Sequence, residues 1–270
     1  MSARLRDVAR QTEEIVAAGV YRAPAGHEVT IAGAVAAARA GTRLYGPGPV
    51  PVPPADPVVT TVEVTGESSL EAARRVGGRV AVLNFASARN PGGGFLNGAQ
   101  AQEEALCRAS ALYTCLRAVP GFYDHHRAHR DPFYTDRVIH SPAVPVFRDD
   151  RGGLLDEPYP AGFLTAPAPN AGVVRRTAPE RARELPDALR VRAGRVLETA
   201  AAEGYGRLVL GAWGCGVFQN DPAQVAGAFH ALLRPGGRFA GRFGHVVLGV
   251  LDRTRDATVR TTFERVFADL

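Results

Sequence analysis

The run Val80-Ala81-Val82-Leu83-Asn84-Phe85-Ala86-Ser87 leads into Asn90-Pro91-Gly92-Gly93-Gly94 and, seven residues further on, Gln102-Glu103-Glu104. The first part is a short apolar run bounded by turn residues, the pattern of a buried strand. Glycines then let main-chain amides come close to a ligand. Two carboxylates open a helix predicted over residues 102–116, with Ala105, Leu106, Ala109, Leu112, Tyr113 and Leu116 on one face. Strand, glycine loop and helix in that order are a repeating piece of an α/β sheet, where ligands sit beyond the carboxyl ends of strands.

The flanking sequence repeats the alternation. Strands are predicted at 58–64, 138–141, 163–166, 208–210 and 246–251, and helices at 69–76, at 185–200 and near the end, around Val259, Phe263, Val266 and Phe267. Strand 208–210 runs into a second glycine loop, Gly211-Ala212-Trp213-Gly214-Cys215-Gly216-Val217-Phe218. Asp221-Pro222 then marks a helix start, an N-cap followed by proline at the first helical position. Two such loops after two strands can form opposite sides of one crevice. The pattern predicts an α/β layered domain with a central sheet.

Before this domain, Leu5, Val8, Ala9, Thr12, Ile15 and Val16 recur at helical spacing up to Gly19, a short helix is predicted at 32–40 and an extended piece at 42–45. The proline-dense stretch 46–57 can continue neither a helix nor a sheet interior, and reads as a stiff linker or surface loop. It divides an N-terminal helical extension with its linker (1–57) from the main domain (58–270).

Composition narrows the function classes. No apolar run approaches the roughly 20 residues of a membrane span, and the N-terminus lacks a signal-peptide core. Three cysteines, Cys107, Cys115 and Cys215, show no disulfide framework and fit a reducing compartment, so a soluble cytoplasmic protein is expected. The formal charge of +5 comes entirely from arginine, with no lysine in the chain. The arginines are scattered, which speaks against sequence-specific nucleic-acid binding but suits phosphate contacts.

Each candidate residue also has a plain structural reading. Glu103 and Glu104 could simply favour the first turn of a helix, and Glu104 with Arg108 has the spacing of a surface ion pair. In the functional reading, one carboxyl, crowded by its neighbour and partly desolvated, keeps a raised pKa and donates a proton, while Gln102 fixes a hydroxyl or orients a carboxylate. Residues 92–94 would offer amides to a phosphate or ribose. The second loop would cradle phosphate with Phe218 packed on a ribose or base, or serve only as a strand-to-helix turn with Phe218 as a core anchor. Asp124-His125-His126-Arg127-Ala128-His129 lacks the glutamate of an HExxH site and no other ligand set stands out, so no metal is assigned. No G-x-S-x-G elbow is present.

Taken together, Asn84-Phe-Ala-Ser, Asn90-Pro-Gly-Gly-Gly, the seven-residue spacer, Gln102-Glu103-Glu104, Thr42-Arg-Leu-Tyr45 and Gly211-Ala-Trp-Gly-Cys-Gly-Val-Phe218-Gln-Asn-Asp221 resemble the signature of the poly(ADP-ribose) glycohydrolases, in particular the compact microbial (bacterial) branch. The resemblance implies a three-layer α/β/α macrodomain-like core with a mixed central sheet, an N-terminal helical extension, and no metal or other cofactor. It implies Glu104 as catalytic acid/base and Glu103 as holder of the distal ribose hydroxyls. Asn90, Gly92, Gly93 and Gly94 would contact ribose and diphosphate. Gly214, Cys215, Gly216, Val217 and Phe218 would complete the diphosphate loop, Phe218 positioning the sugar. The expected partners are poly(ADP-ribose), ADP-ribosylated proteins and the product ADP-ribose, with a monomeric enzyme acting in reversal of ADP-ribosylation and the DNA damage response. Ser87 and Asn84 depart from the animal pattern, in which an Asp stands at the position of Asn84 and an Asn at that of Ser87. An ADP-ribose-binding macrodomain without hydrolysis and a mono(ADP-ribosyl) hydrolase remain the alternatives.

Overall fold

In the computed structural model, which describes residues 2–270, the chain order is α1 (Ala3–Ala18), β1 (Val20–Arg22), β2 (Glu28–Thr30), α2 (Ala32–Gly41), β3 (Arg43–Tyr45), β4 (Thr61–Thr65), α3 (Ser69–Val76), β5 (Val80–Phe85), α4 (Gln102–Ala109), α5 (Leu112–Arg117), α6 (Pro120–Ala128), β6 (Val138–Arg148), β7 (Leu154–Ala166), α7 (Ala171–Thr177), α8 (Leu185–Ala202), β8 (Arg207–Gly211), α9 (Pro222–Leu233), β9 (His245–Gly249) and α10 (Thr258–Val266). β1 and β2 form a small hairpin. The other strands make one seven-stranded sheet in the order β3-β6-β7-β5-β8-β9-β4. From β7 to β4 the pairs are parallel, whereas β6 runs antiparallel to both β7 and β3. The sheet is therefore mixed, with an apolar cluster on each face, as three-layer packing requires.

The parallel strands all carry their carboxyl ends to one edge. There the loops after β5, β7 and β8 are immediate neighbours, because β5 lies between β7 and β8. This adjacency brings the two glycine loops together.

Four expectations change in detail. The single helix over 102–116 is two helices, because Ser110 is extended (φ −146°, ψ 175°) and bridges to Val146. Its hydroxyl donates to Leu106 O (2.7 Å) and accepts from Leu112 N–H (3.2 Å), spanning the break. The strands expected at 138–141 and 163–166 are the ordered ends of a much longer hairpin, Val138–Arg148 with Leu154–Ala166. Pro142, Pro145, Pro158 and Pro160 disguise it. They are tolerated because β3 covers β6 only at residues 138–140 and β5 covers β7 only at residues 162–166, so the prolines lie outside both ladders, and because the register shifts between Ser141 and Val144. The strand expected at 58–64 starts at Thr61. Finally, β3 lies before the proline-dense stretch yet joins the main sheet, so the N-terminal segment shares the sheet of the domain that follows. Residues 46–60 hold no regular structure and lie on the surface, tied by Val50 N–H to Glu198 (3.1 Å) and by Arg242 to Pro53 O (3.1 Å).

α1 ends as its sequence requires, with Gly19 left-handed at φ 71° and its N–H returned to Ile15 O. The helix packs on α4 and on the loop before it. Ser2 N–H donates to Gly98 O (3.2 Å), and buried Thr12 donates its hydroxyl to Arg108 O (2.8 Å). No helix among the described residues is long and apolar enough to cross a membrane.

Candidate active site

β5 is buried at Val80, Ala81, Val82 and Leu83, and it carries one fully buried polar residue, Asn84. Burying an amide is costly unless it is bonded. Its Nδ2 donates to Glu103 Oε1 (3.2 Å) and to Thr165 Oγ1 on β7 (3.1 Å). Asn84 thus links the strand to the first of the two glutamates.

Both carboxyl groups are buried, Glu103 at 3% exposure and Glu104 at 8%. Glu103 Oε2 accepts from Ser87 N–H at 2.7 Å. Glu104, at the third position of α4, accepts from Ala101 N–H (3.1 Å), the acidic half of a capping box. Its other oxygen takes Gly94 N–H at 2.8 Å. The two converge on Gly93. A Cβ there would strike Glu104 Oε1 and lie 3.2 Å from Glu103 Oε2, and the residue is left-handed at φ 57°. Only glycine fits this position without displacing a carboxylate.

Burial raises the Glu103 pKa to about 8, assisted by the neighbouring Glu104 charge and opposed by the donors Ser87 and Asn84. The raised carboxyl expected from the sequence is therefore present, and it is Glu103. At neutral pH the pair holds a proton there, in a site where two adjacent charges would repel.

Amides of the first loop are spent within the protein. Gly93 N–H donates to Asn90 O (3.0 Å), Gly94 N–H to Glu104, and Phe95 N–H to Gly92 O (3.0 Å). For Gly93 and Gly94 the expectation of amides offered to a phosphate changes: both N–H groups already have acceptors, and the absent side chain at Gly93 makes room for the carboxylates. Asn90 is exposed at the loop's tip. Gln102 also differs from expectation. Its Oε1 accepts from Phe85 N–H (2.9 Å), and its Nε2 donates to Leu83 O (2.8 Å) and Ser69 Oγ (3.0 Å). With its amide committed to β5 it braces α4 against the strand. Arg108 likewise forms no ion pair with Glu104 and donates instead to Ala99 O at 2.7 Å, holding the far end of the loop.

The second loop is built the opposite way. Trp213, Cys215, Gln219 and Asn220 return their N–H groups to Gly211, Ala212, Gly216 and Gly214, closing the turn. Trp213 Nε1 donates to Ala166 O at the end of β7 (2.9 Å), and buried Asn220 donates to Pro169 O (2.8 Å) and Gly214 O (3.1 Å). Among the described residues the N–H groups of Gly214, Gly216, Val217 and Phe218 have no acceptor. Val217 is 82% exposed. Asp221 caps α9 by accepting Ala223 N–H (2.8 Å), as its sequence predicts. Exposed successive amides beside a helix start make an anion cradle. Cys215 belongs to this loop through its backbone, and burial pushes its thiol up to about 12.

The histidine run makes no site of its own. His126 Nδ1 donates to Phe122 O and its Nε2 accepts from Thr135 Oγ1, both at 2.8 Å, so the buried ring is a neutral brace. A cavity of about 550 Å³ opens beyond the other end of β5, near Arg74, Arg79, Tyr159 and Tyr205, with no carboxylate in its lining. The buried carboxyl pair lies at the opposite end of β5, beside the glycine loops. Sequence reasoning missed Asn84 as a partner of Glu103, with Thr165 bonded to Asn84 behind it, although a polar residue inside an apolar strand was a readable signal. It also missed Arg89 and Tyr134, which flank the crevice beside Phe218.

No curated protein matches the chain. Solved structures do. The poly(ADP-ribose) glycohydrolase of Thermomonospora curvata is 51% identical over 98% of this chain and 100% of its own, with a TM-score of 0.92. The same enzyme bound to the inhibitor ADP-HPD gives a TM-score of 0.91 with the same identity and coverage. The Deinococcus radiodurans poly(ADP-ribose) glycohydrolase in complex with ADP-ribose is 46% identical over 90% of this chain and 100% of its own, with a TM-score of 0.80. The family model of the microbial-type PARG catalytic domain matches residues 9–149, a stretch holding the first glycine loop and both glutamates. With the family model matched over more than half of the chain and a relative 51% identical over 98% of it, the chain belongs to the microbial-type poly(ADP-ribose) glycohydrolase family.

Proposed function

We propose that this chain hydrolyses the ribose–ribose O-glycosidic bonds of poly(ADP-ribose) from the chain end and releases ADP-ribose. The observation that carries this reading is the pair of buried carboxyls behind the loop after β5, next to the open amides of the loop after the neighbouring strand β8. The diphosphate of the terminal unit binds the free amides of residues 214–218, with Phe218 against the sugar, and the distal ribose reaches the glutamates. Glu103, protonated at neutral pH, holds a ribose hydroxyl. The proton held by the pair passes through Glu104 to the leaving ribose oxygen as positive charge develops on the distal sugar, and Glu104 then accepts a proton from the attacking water. Gly93 keeps both carboxyls in place, Asn90 contacts the ribose from the loop tip, and Gln102 acts through α4 as a positioning residue. The protein works without a metal, as a cytoplasmic monomer. Unpaired cysteines support a reducing compartment, and residues 1–57 act as a bracing extension that also lends β3 to the sheet of the catalytic domain.

The test is incubation with poly(ADP-ribose) and identification of the products by mass. ADP-ribose from the wild type and its loss in Glu104→Gln are expected, and near-wild-type turnover by that variant overturns the assignment. A second reading is favoured by the raised pKa: Glu103 is the proton donor and Glu104 the sugar holder. Under it, Glu103→Gln is the variant that loses turnover while Glu104→Gln loses chiefly affinity.

A further inference from the structure

Phe218 is one member of a larger group. The Tyr134 ring lies 5.8 Å from it, centroid to centroid, at an interplanar angle of 43°. The Arg89 guanidinium stands 5.9 Å from the Tyr134 centroid. Arg89 has no carboxylate partner among the described residues. Its only acceptors are the carbonyls of His126 (3.3 Å) and Arg130 (3.4 Å), leaving its charge uncompensated.

Tyr134 is held in the left-handed region at φ 58°, unusual for a bulky residue. Its neighbours fix it there. Tyr134 N–H donates to Asp131 O (3.1 Å), Asn170 N–H to Pro132 O (2.8 Å), and buried Arg192 grips both Asp136 (3.0 Å) and Pro167 O (2.9 Å). Backbone conformations of this kind persist where surrounding structure over-determines them, commonly beside ligands.

Sheet order tells which part of the substrate this group faces. The cradle follows β8, the glutamates flank β5, and residues 131–136 are tied to the loop after β7, on the other side of β5. A terminal unit with its diphosphate on the cradle and its distal sugar at the glutamates sends the leaving side of the bond toward Tyr134 and Arg89. That leaving side is itself a nucleotide unit, with a flat base and an anionic diphosphate.

We propose that Tyr134 and Arg89 form a subsite for the penultimate unit of the polymer, the ring against its base and the guanidinium on its phosphate. The inference rests on the polymer-hydrolase reading above. It makes the site selective for polymer over a single ADP-ribose on protein.

The experiment compares Tyr134→Gly, Tyr134→Phe and Arg89→Ala with the wild type. Glycine is chosen because it suits the left-handed backbone while removing the ring. Two quantities are measured: kcat/KM on poly(ADP-ribose), and the Kd for free ADP-ribose by calorimetry. Loss of a stacked base lowers affinity about tenfold. Tyr134→Gly is expected to lower polymer kcat/KM by about that factor, mainly through KM, with ADP-ribose Kd unchanged; Tyr134→Phe should stay near wild type. Arg89→Ala should also act on KM and flatten its salt dependence. Equal loss of polymer turnover and ADP-ribose binding, or unchanged polymer turnover in Tyr134→Gly, overturns the subsite. Failure of the wild type to cleave polymer overturns the hydrolase reading itself and the subsite with it.

Discussion

The two glycine loops look alike in sequence and are built in opposite ways. In the first, amides at Gly93 and Gly94 already have protein acceptors, one of them Glu104, and the missing side chain at Gly93 is what lets two carboxyls meet. In the second, the amides of Gly216, Val217 and Phe218 are left open while Asn220 and Trp213 hold the turn from behind. One loop sets two carboxyls side by side; the other leaves its N–H donors open. Glycine content alone does not separate these cases, whereas the fate of each N–H does.

This difference predicts that damage to the first loop appears in kcat and damage to the second in KM. The largest effect is expected for Glu104→Gln, a loss of about 10³-fold in polymer turnover with ADP-ribose affinity kept, read by steady-state rates and calorimetry. Gly93→Ala comes next. It adds a Cβ against Glu104 on a left-handed backbone, so turnover should fall about 100-fold and thermal stability by about 1–3 kcal/mol. If Gly93→Ala instead weakened ADP-ribose binding alone, the contrast between the loops would fail.

Gly214→Ala tests the second loop. Gly214 is left-handed at φ 71°, and a Cβ would press on Ala168 and the Asn220 amide, shifting the cradle. An increase in KM of about tenfold with kcat within a factor of two or three is expected from the loss of one or two anion contacts. A fall in kcat alone would assign the loop a chemical role instead.

A smaller effect concerns pH. The Glu103 pKa is raised in the folded state, so its proton is kept until the pH rises through about 8. Stability from this group is greatest below its unfolded value of about 4.5 and declines as the pH climbs to about 8. Turnover should fall through the same upper limit, and Glu103→Gln should remove the decline in stability. The smallest expected effect lies outside both loops. Burial lowers the His126 pKa to about 4, so its contribution is intact above pH 6.5 and lost as pH falls toward 4, measurable as a drop in melting temperature that His126→Gln lessens.

Much of this was legible in the sequence, and the remainder has definite physical reasons. Ser69–Val76 and Val80–Phe85 appear where periodicity puts them, because a capping Ser68 and an apolar run act locally. The glutamate pair and the second loop stood out in residue type and spacing as candidates, and the structure brings them to neighbouring loops of one sheet. Hidden were features depending on distant partners. The β6–β7 hairpin carries prolines that only an uncovered edge permits, the helix break at Ser110 depends on a bridge to Val146, and Gln102 reads as a ligand contact until its bonds to Leu83 and Phe85 are seen. Tyr134 carries no local signal, since its backbone is set by contacts from α8 and the loop after β7.

The seating of Ser2 on Gly98 has a practical side. A Cβ at Gly98 would collide with Ser2 O, so the start of α1 and the loop before α4 touch backbone to backbone. A purification tag fused ahead of Ser2 would lever on the loop that precedes Glu104, and a kinetic comparison made with such a tag would mix its load with the effect of the mutation. The same contact makes α1 a useful reporter: a fluorophore on its exposed face, at Arg10 or Glu14, would register loop movements without entering the crevice.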